Sequence, residues 1–111
     1  MRSFEKLKQN YEFHRAYNRG DSYVAPEFVL YIVKGRREKI RLGITVSRKL
    51  GTAVARNRAK RVLTAAFDLA KDYTVPGYDY VIVARSRVLA KKSTAIAEKL
   101  CRILSDAGIK R

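Results

Sequence analysis

Apolar and polar positions alternate with a period of two in several short stretches. Ile40, Leu42, Ile44 and Val46 interleave with Arg41, Gly43 and Thr45, the pattern of a half-buried strand. Residues 28–33, Phe-Val-Leu-Tyr-Ile-Val, form a second strand, and residues 34–39 read as a hairpin loop joining the two. Residues 21–24 suit a short edge strand stopped by Pro26. Residues 80–84, Tyr-Val-Ile-Val-Ala, are apolar throughout, as in a strand buried on both faces at the centre of a sheet. If Leu42, Ile44 and Val46 share a face with Phe28, Leu30 and Ile32, then Val29, Tyr31, Val33, Arg41, Gly43, Thr45 and Ser47 line the other.

Three stretches carry helical spacing instead. Residues 11–19 place Phe13, Ala16 and Tyr17 on one face, with Asn10 as N-cap and Gly20 as C-cap. This aromatic face can pack on the sheet or line a groove. Residues 53–71 are rich in Ala, Arg, Lys and Leu, without Gly or Pro. At 100° per residue, Arg56, Asn57, Lys60, Arg61, Thr64, Asp68 and Lys71 fall in one arc, with Arg58 on its flank. Ala55, Ala59, Val62, Ala66, Leu69 and Ala70 fall opposite, as the buried side. A last helix runs from a Ser93 cap to Ala107, closed by Gly108, with Ile96, Ala97, Leu100, Ile103, Leu104 and Ala107 in its buried stripe. Residues 1–9 and 109–111 show no period and are expected to be flexible. The expected fold is one domain, an α/β (α+β) sandwich with one four-stranded mixed sheet in the order α-β-β-β-α-β-α.

Charge changes the picture. The 111 residues hold 25 Lys and Arg against 10 Asp and Glu, a net +15. Residues 34–61 contain eleven of those cations and a single acid, Glu38. Such a balance points to a polyanionic partner. Cations crowd the N-terminal half of the helix at 53–71, where the macrodipole and mutual repulsion both oppose them. A helix selected for stability alone would carry acids there.

Catalytic chemistry is missing from the side chains. There is one cysteine and one histidine, His14, so no disulfide, no Cys/His metal set and no nucleophilic triad is expected. No Gly-rich phosphate loop occurs, and the acids form no close pair for a two-metal site. The first residues lack the apolar core of a signal peptide, and the longest apolar run, residues 28–33, is too short for a membrane span. A cytoplasmic location is expected, with no membrane partner and no small-molecule substrate.

The run Gly43-Ile-Thr-Val-Ser-Arg-Lys-Leu-Gly-Thr-Ala-Val-Ala-Arg-Asn-Arg-Ala-Lys-Arg61 resembles the RNR motif of the protein subunit of bacterial ribonuclease P. Phe13-x-x-x-Tyr17-x-x-Gly20, Phe28-Val-Leu-Tyr31 and Tyr80 to Arg85 occur in the order that family shows, so the resemblance spans residues 4–107. It implies a ribosomal-protein-like fold with an unusual left-handed βαβ crossover, although general rules favour the right hand. It also implies a protein that assists a catalytic RNA in removing the 5′ leader of precursor tRNA. The RNA does the chemistry and mainly holds the Mg²⁺, and the protein alone binds no cofactor. By the same resemblance Arg48, Lys49, Arg56, Asn57, Arg58, Lys60 and Arg61 bind the RNA subunit, while Phe13, Tyr17, Tyr31 and Ser47 line the leader cleft. Thr64 departs from the family, where many members carry a further cation; Arg85 or Arg87 could supply it. Other classes remain open: a ribosomal or rRNA-assembly protein, or a self-sufficient nuclease.

Overall fold

The structure is a computed structural model that describes residues 4–35 and 38–108. One mixed sheet carries helices on both faces. Its elements are β1 (Glu5–Lys6), α1 (Asn10–Arg19), β2 (Asp21–Val24), β3 (Phe28–Lys34), β4 (Ile40–Thr45), α2 (Ala53–Leu69), β5 (Tyr78–Ala84) and α3 (Ser93–Ala107). Across the sheet the order is β1-β4-β5-β3-β2.

This arrangement corrects three expectations. The sheet has five strands rather than four, because Glu5–Lys6 pairs in parallel with Arg41–Leu42. Residues 4–9 are therefore anchored, residues 1–3 lying outside the described part: Leu7 is buried, and the Phe4 ring meets Phe67 edge-on at 5.1 Å. Residues 109–111 lie outside the described part. Second, β3 and β4 are not a hairpin. β5 lies between them, antiparallel to β3 and parallel to β4. The reason is two-sided burial: Tyr80, Val81 and Ile82 are all fully buried, so only the centre of the sheet satisfies β5 on both faces. The chain from β3 to β4 crosses the start of β5, where Gly35 N–H donates to the Gly77 carbonyl and Gly77 N–H to that of Lys39. Of the expected loop, residues 36 and 37 lie outside the described part. Third, the caps shift by one residue: Gln9 rather than Asn10 precedes α1, and Lys92 rather than Ser93 precedes α3. Gly20 ends α1, and Gly108, at φ 62°, ends α3 as expected.

The alternation along the strands sorts the two faces as read from the sequence. Phe28, Leu30, Ile32, Ile40, Leu42, Tyr80 and Ile82 enter the main core beneath α2 and α3. Val33 and Val81 meet Leu7 and Ala16 beneath α1, with Phe13, Tyr17 and Tyr31 packed around them.

Candidate nucleic-acid interface

The cationic helix α2 starts from Thr52, whose hydroxyl accepts from the Ala55 N–H at 3.2 Å. Its buried side is Ala59, Leu63, Ala66 and Phe67, followed by Ala70. Relative to the expected side, the helix is rotated. Leu63 and Phe67, large apolar residues at i and i+4, point inward, and Leu69, expected inside, is 56% exposed. The rotation brings the row Arg56, Lys60 and Thr64 towards the sheet edge. Asn57, Arg58, Lys60 and Arg61 are exposed, whereas Arg56 is half-buried with its Nε enclosed and unpartnered. Among the described residues none of these four cations forms an ion pair; the only one on this helix joins Asp68 to Lys71 at 3.5 Å.

Ser47, Arg48 and Lys49 are exposed at the end of β4, in a turn closed by Gly51 at φ 143°. Because β4 and β5 run parallel, with Thr45 opposite Val83, exposed Arg85 and Arg87 emerge at the same end. They therefore extend the basic turn.

On the other face, three rows of residues cross the sheet. Tyr31, Val81 and Gly43 are in register. Phe13 lies over Gly43, where a Cβ would come within 2.6 Å of the ring; only glycine admits that approach. Tyr17 meets Tyr31 edge-on at 5.1 Å, and its hydroxyl shares a 2.7 Å hydrogen bond with that of Thr45. Phe13, Tyr17 and Tyr31 are half-buried, so they pack against α1's core and still present ring surface. The next row, Val29, Val83 and Thr45, is half-buried too, and opens towards Ser47. The structure thus sets the three rings on one face of the sheet, Tyr17 in contact with Tyr31 and Phe13 over Gly43, with Ser47 exposed beyond the end of β4.

The third row, Val33, Asp79 and Arg41, is closed over by α1. Arg41 Nε and Nη2 clamp the two oxygens of Asp79 at 2.8 and 2.7 Å, and Arg15 adds a 2.7 Å bond to Oδ2. Arg41 also donates to Glu12, which accepts the Gln9 N–H at 3.1 Å at the start of α1. Arg41, which the alternation had set on the open face, is thus withdrawn into a buried network. The signal was present: Asp79 precedes a run of apolar residues within a central strand, and such a carboxylate needs a cation. Burial opposes ionisation of Glu12, yet the Gln9 and Lys8 amides and Arg41 hold its pKa below the ordinary 4.5. A lowered folded pKa means stability that is present above the unfolded pKa and lost as pH falls through the folded one. Thermal melts between pH 3 and 7 should therefore show a shallower acid-side loss for Glu12→Gln than for the natural chain, with a lower Tm at pH 7.

Among the described residues no three His, Cys, Asp or Glu side chains are grouped to hold a metal ion, and no helix is long and apolar enough to cross a membrane. Comparison with known proteins adds the family. A ribonuclease P protein component of Clostridium beijerinckii is 38% identical over 111 aligned positions, covering 94% of this chain and 89% of the relative. One from Geobacillus thermodenitrificans is 37% identical, covering 97% and 90%. The fold matches the RNase P protein of Thermotoga maritima with a TM-score of 0.80 at 29% identity, covering 96% of this chain and 99% of the other. It matches a Staphylococcus aureus RNase P protein mutant with defective mRNA degradation activity at 0.81 and 32% identity, covering 95% and 89%. The family model described as Ribonuclease P matches residues 1–108, and the chain belongs to that family.

Proposed function

We propose that this protein is the accessory subunit of a bacterial, cytoplasmic ribonuclease P, which removes the 5′ leader from precursor tRNA. The observation that carries this reading is the row of cations on α2 that form no ion pair among the described residues, with the rings of Phe13, Tyr17 and Tyr31 on the opposite face of the same sheet. Arg48, Lys49, Arg56, Asn57, Arg58, Lys60 and Arg61 bind the catalytic RNA, where guanidinium forks match phosphate oxygens. Phe13, Tyr17, Tyr31 and Ser47 receive the single-stranded leader. Stacking tolerates any base, which suits an enzyme with many precursors. The RNA holds Mg²⁺ and performs the hydrolysis, and the protein raises the affinity for substrate and metal.

The β4–α2–β5 connection is left-handed in this reading. The Leu42 carbonyl accepts from Leu7 on the β1 side while its side chain enters the α2 layer. For an L-residue seen from the α2 side with β4 running upward, that combination sets β1 to the right and β5 to the left. A crossover in front of the sheet that advances leftward is left-handed.

Reconstitution with a bacterial ribonuclease P RNA tests the function: the protein should raise precursor cleavage at low Mg²⁺. Cleavage by the protein without RNA would overturn the assignment. Within that assay Tyr17→Ala and Tyr31→Ala should each weaken precursor binding by roughly 1–3 kcal/mol, the scale of one stacked base. Binding of mature tRNA, which lacks a leader, should stay constant. Equal losses for both substrates would mean that the rings serve the core.

A further inference from the structure

The edge of β4 is only half covered. β1 pairs with Arg41 and Leu42, and the ladder ends at the Leu7 N–H bond to the Leu42 carbonyl, 2.9 Å. Peptide groups face alternate sides along a strand, so Ile44 turns its N–H and C=O to the same edge as Leu42. Among the described residues no strand reaches it there. The gap is a notch of about 250 Å³ lined by Lys6, Leu7, Phe13, Ile44, Lys60 and Thr64. It wraps the sheet edge from the α1 face, where Phe13 lies, to the α2 face, where Lys60 and Thr64 lie. Lys6 and Lys60 are exposed at its rim, and Arg61 joins them in the neighbouring hollow with a single acid, Asp68.

We propose that this notch holds one unpaired nucleotide of the catalytic RNA, an inference that rests on the RNA-binding function above. Its volume is below the roughly 300–1,000 Å³ of drug-sized pockets and suits one planar base. The Ile44 N–H and C=O offer a donor beside an acceptor, which complements the amino group and ring nitrogen of adenine or cytosine and equally the carbonyl and N3–H of uracil. Phe13 supplies an apolar wall, and the two ammonium groups receive the flanking phosphates. Charge favours RNA over a peptide adding itself to the open edge. The position of Lys60, in the row of α2 facing the sheet edge, favours the RNA lying on that helix over the leader.

The full-length chain is titrated with AMP, CMP, UMP and inorganic phosphate while amide resonances are followed. AMP, CMP and UMP should each shift the Ile44 amide and bind at least five-fold tighter than inorganic phosphate. Ile44→Pro removes that donor at a strand edge where proline is tolerated, and should abolish the preference. It should also weaken binding of the catalytic RNA about ten-fold with no precursor present. Should Ile44→Pro fail to fold, Thr64→Phe fills the notch from α2 and carries the same expectation. Equal shifts with all four anions would reduce the notch to a charged rim and overturn the proposal. So would a loss confined to leader-bearing precursor, or an Ile44 shift produced by protein concentration alone. None of these outcomes bears on RNA binding by Arg58 and Arg61, whose removal tests the function separately.

Discussion

Asp79→Ala should be the most damaging single truncation outside the apolar core, costing about 3 kcal/mol, near the low end for breaking a buried ion pair. The carboxylate is 1% exposed and takes three hydrogen bonds from Arg41 and Arg15. Removing it leaves Arg15 without its carboxylate and Arg41 with Glu12 as its remaining partner. Both arginines keep about a fifth of their side chain in contact with solvent, which is why the low end applies. For a domain this size that loss lowers Tm by roughly 12 °C or more. Asp79→Leu combined with Arg41→Met replaces charge by volume and should recover at least half of the loss, because the attraction within a buried pair mainly offsets its own desolvation. Urea unfolding with an unchanged m-value would report these differences. A cost under about 1 kcal/mol for Asp79→Ala would show that the network contributes nothing net. The same substitution loosens α1 from the sheet, so precursor affinity should fall with it, while binding of the catalytic RNA through α2 survives.

That network also marks where sequence reasoning stops. Period-two alternation placed Leu42 and Ile44 with Phe28 and Leu30, and Tyr31 with Gly43, on the faces where they lie, because side-chain parity in a strand allows no compromise. The continuously apolar run at 80–84 announced the central strand. Its neighbours were less legible. A loop of five residues can join adjacent strands or step over one, and only the need to bury β5 on both sides decides between them. Glu5–Lys6 is a two-residue strand of exposed charged side chains, held by backbone bonds alone, and shows no period. On α2 the cations dominated the pattern, yet burial of Leu63 and Phe67 sets the rotation. The candidate site was legible where types are rare: three aromatics at fixed spacing, a glycine opposite one of them, and cations without acids. Their convergence on one groove, and the gap in the β4 edge beside it, depends on how far β1 extends.

Arg58, Lys60 and Arg61 should be replaced together by Ala to test the cationic helix. Arg56 is left intact, because its enclosed Nε and half-buried stem contribute packing. The other three are exposed and make no ion pairs among the described residues. Removing one cation from its phosphate lowers the slope of log K against log salt by about 0.9, so removing three lowers it by about 2.7. At roughly 0.1 M salt that corresponds to a fall of about 500-fold in affinity for the catalytic RNA. Stability should move the other way. These cations stand at i, i+2 and i+3, the Arg58–Arg61 pair repels across one turn and all three oppose the helix dipole, so their removal should leave Tm unchanged or slightly higher. Affinity measured across a salt series, beside a thermal melt of the free protein, separates the alternatives. An unaltered slope with a lowered Tm would assign the three side chains to the fold, and the RNA would then lie against another surface, such as the end that carries the exposed Arg48, Lys49, Arg85 and Arg87.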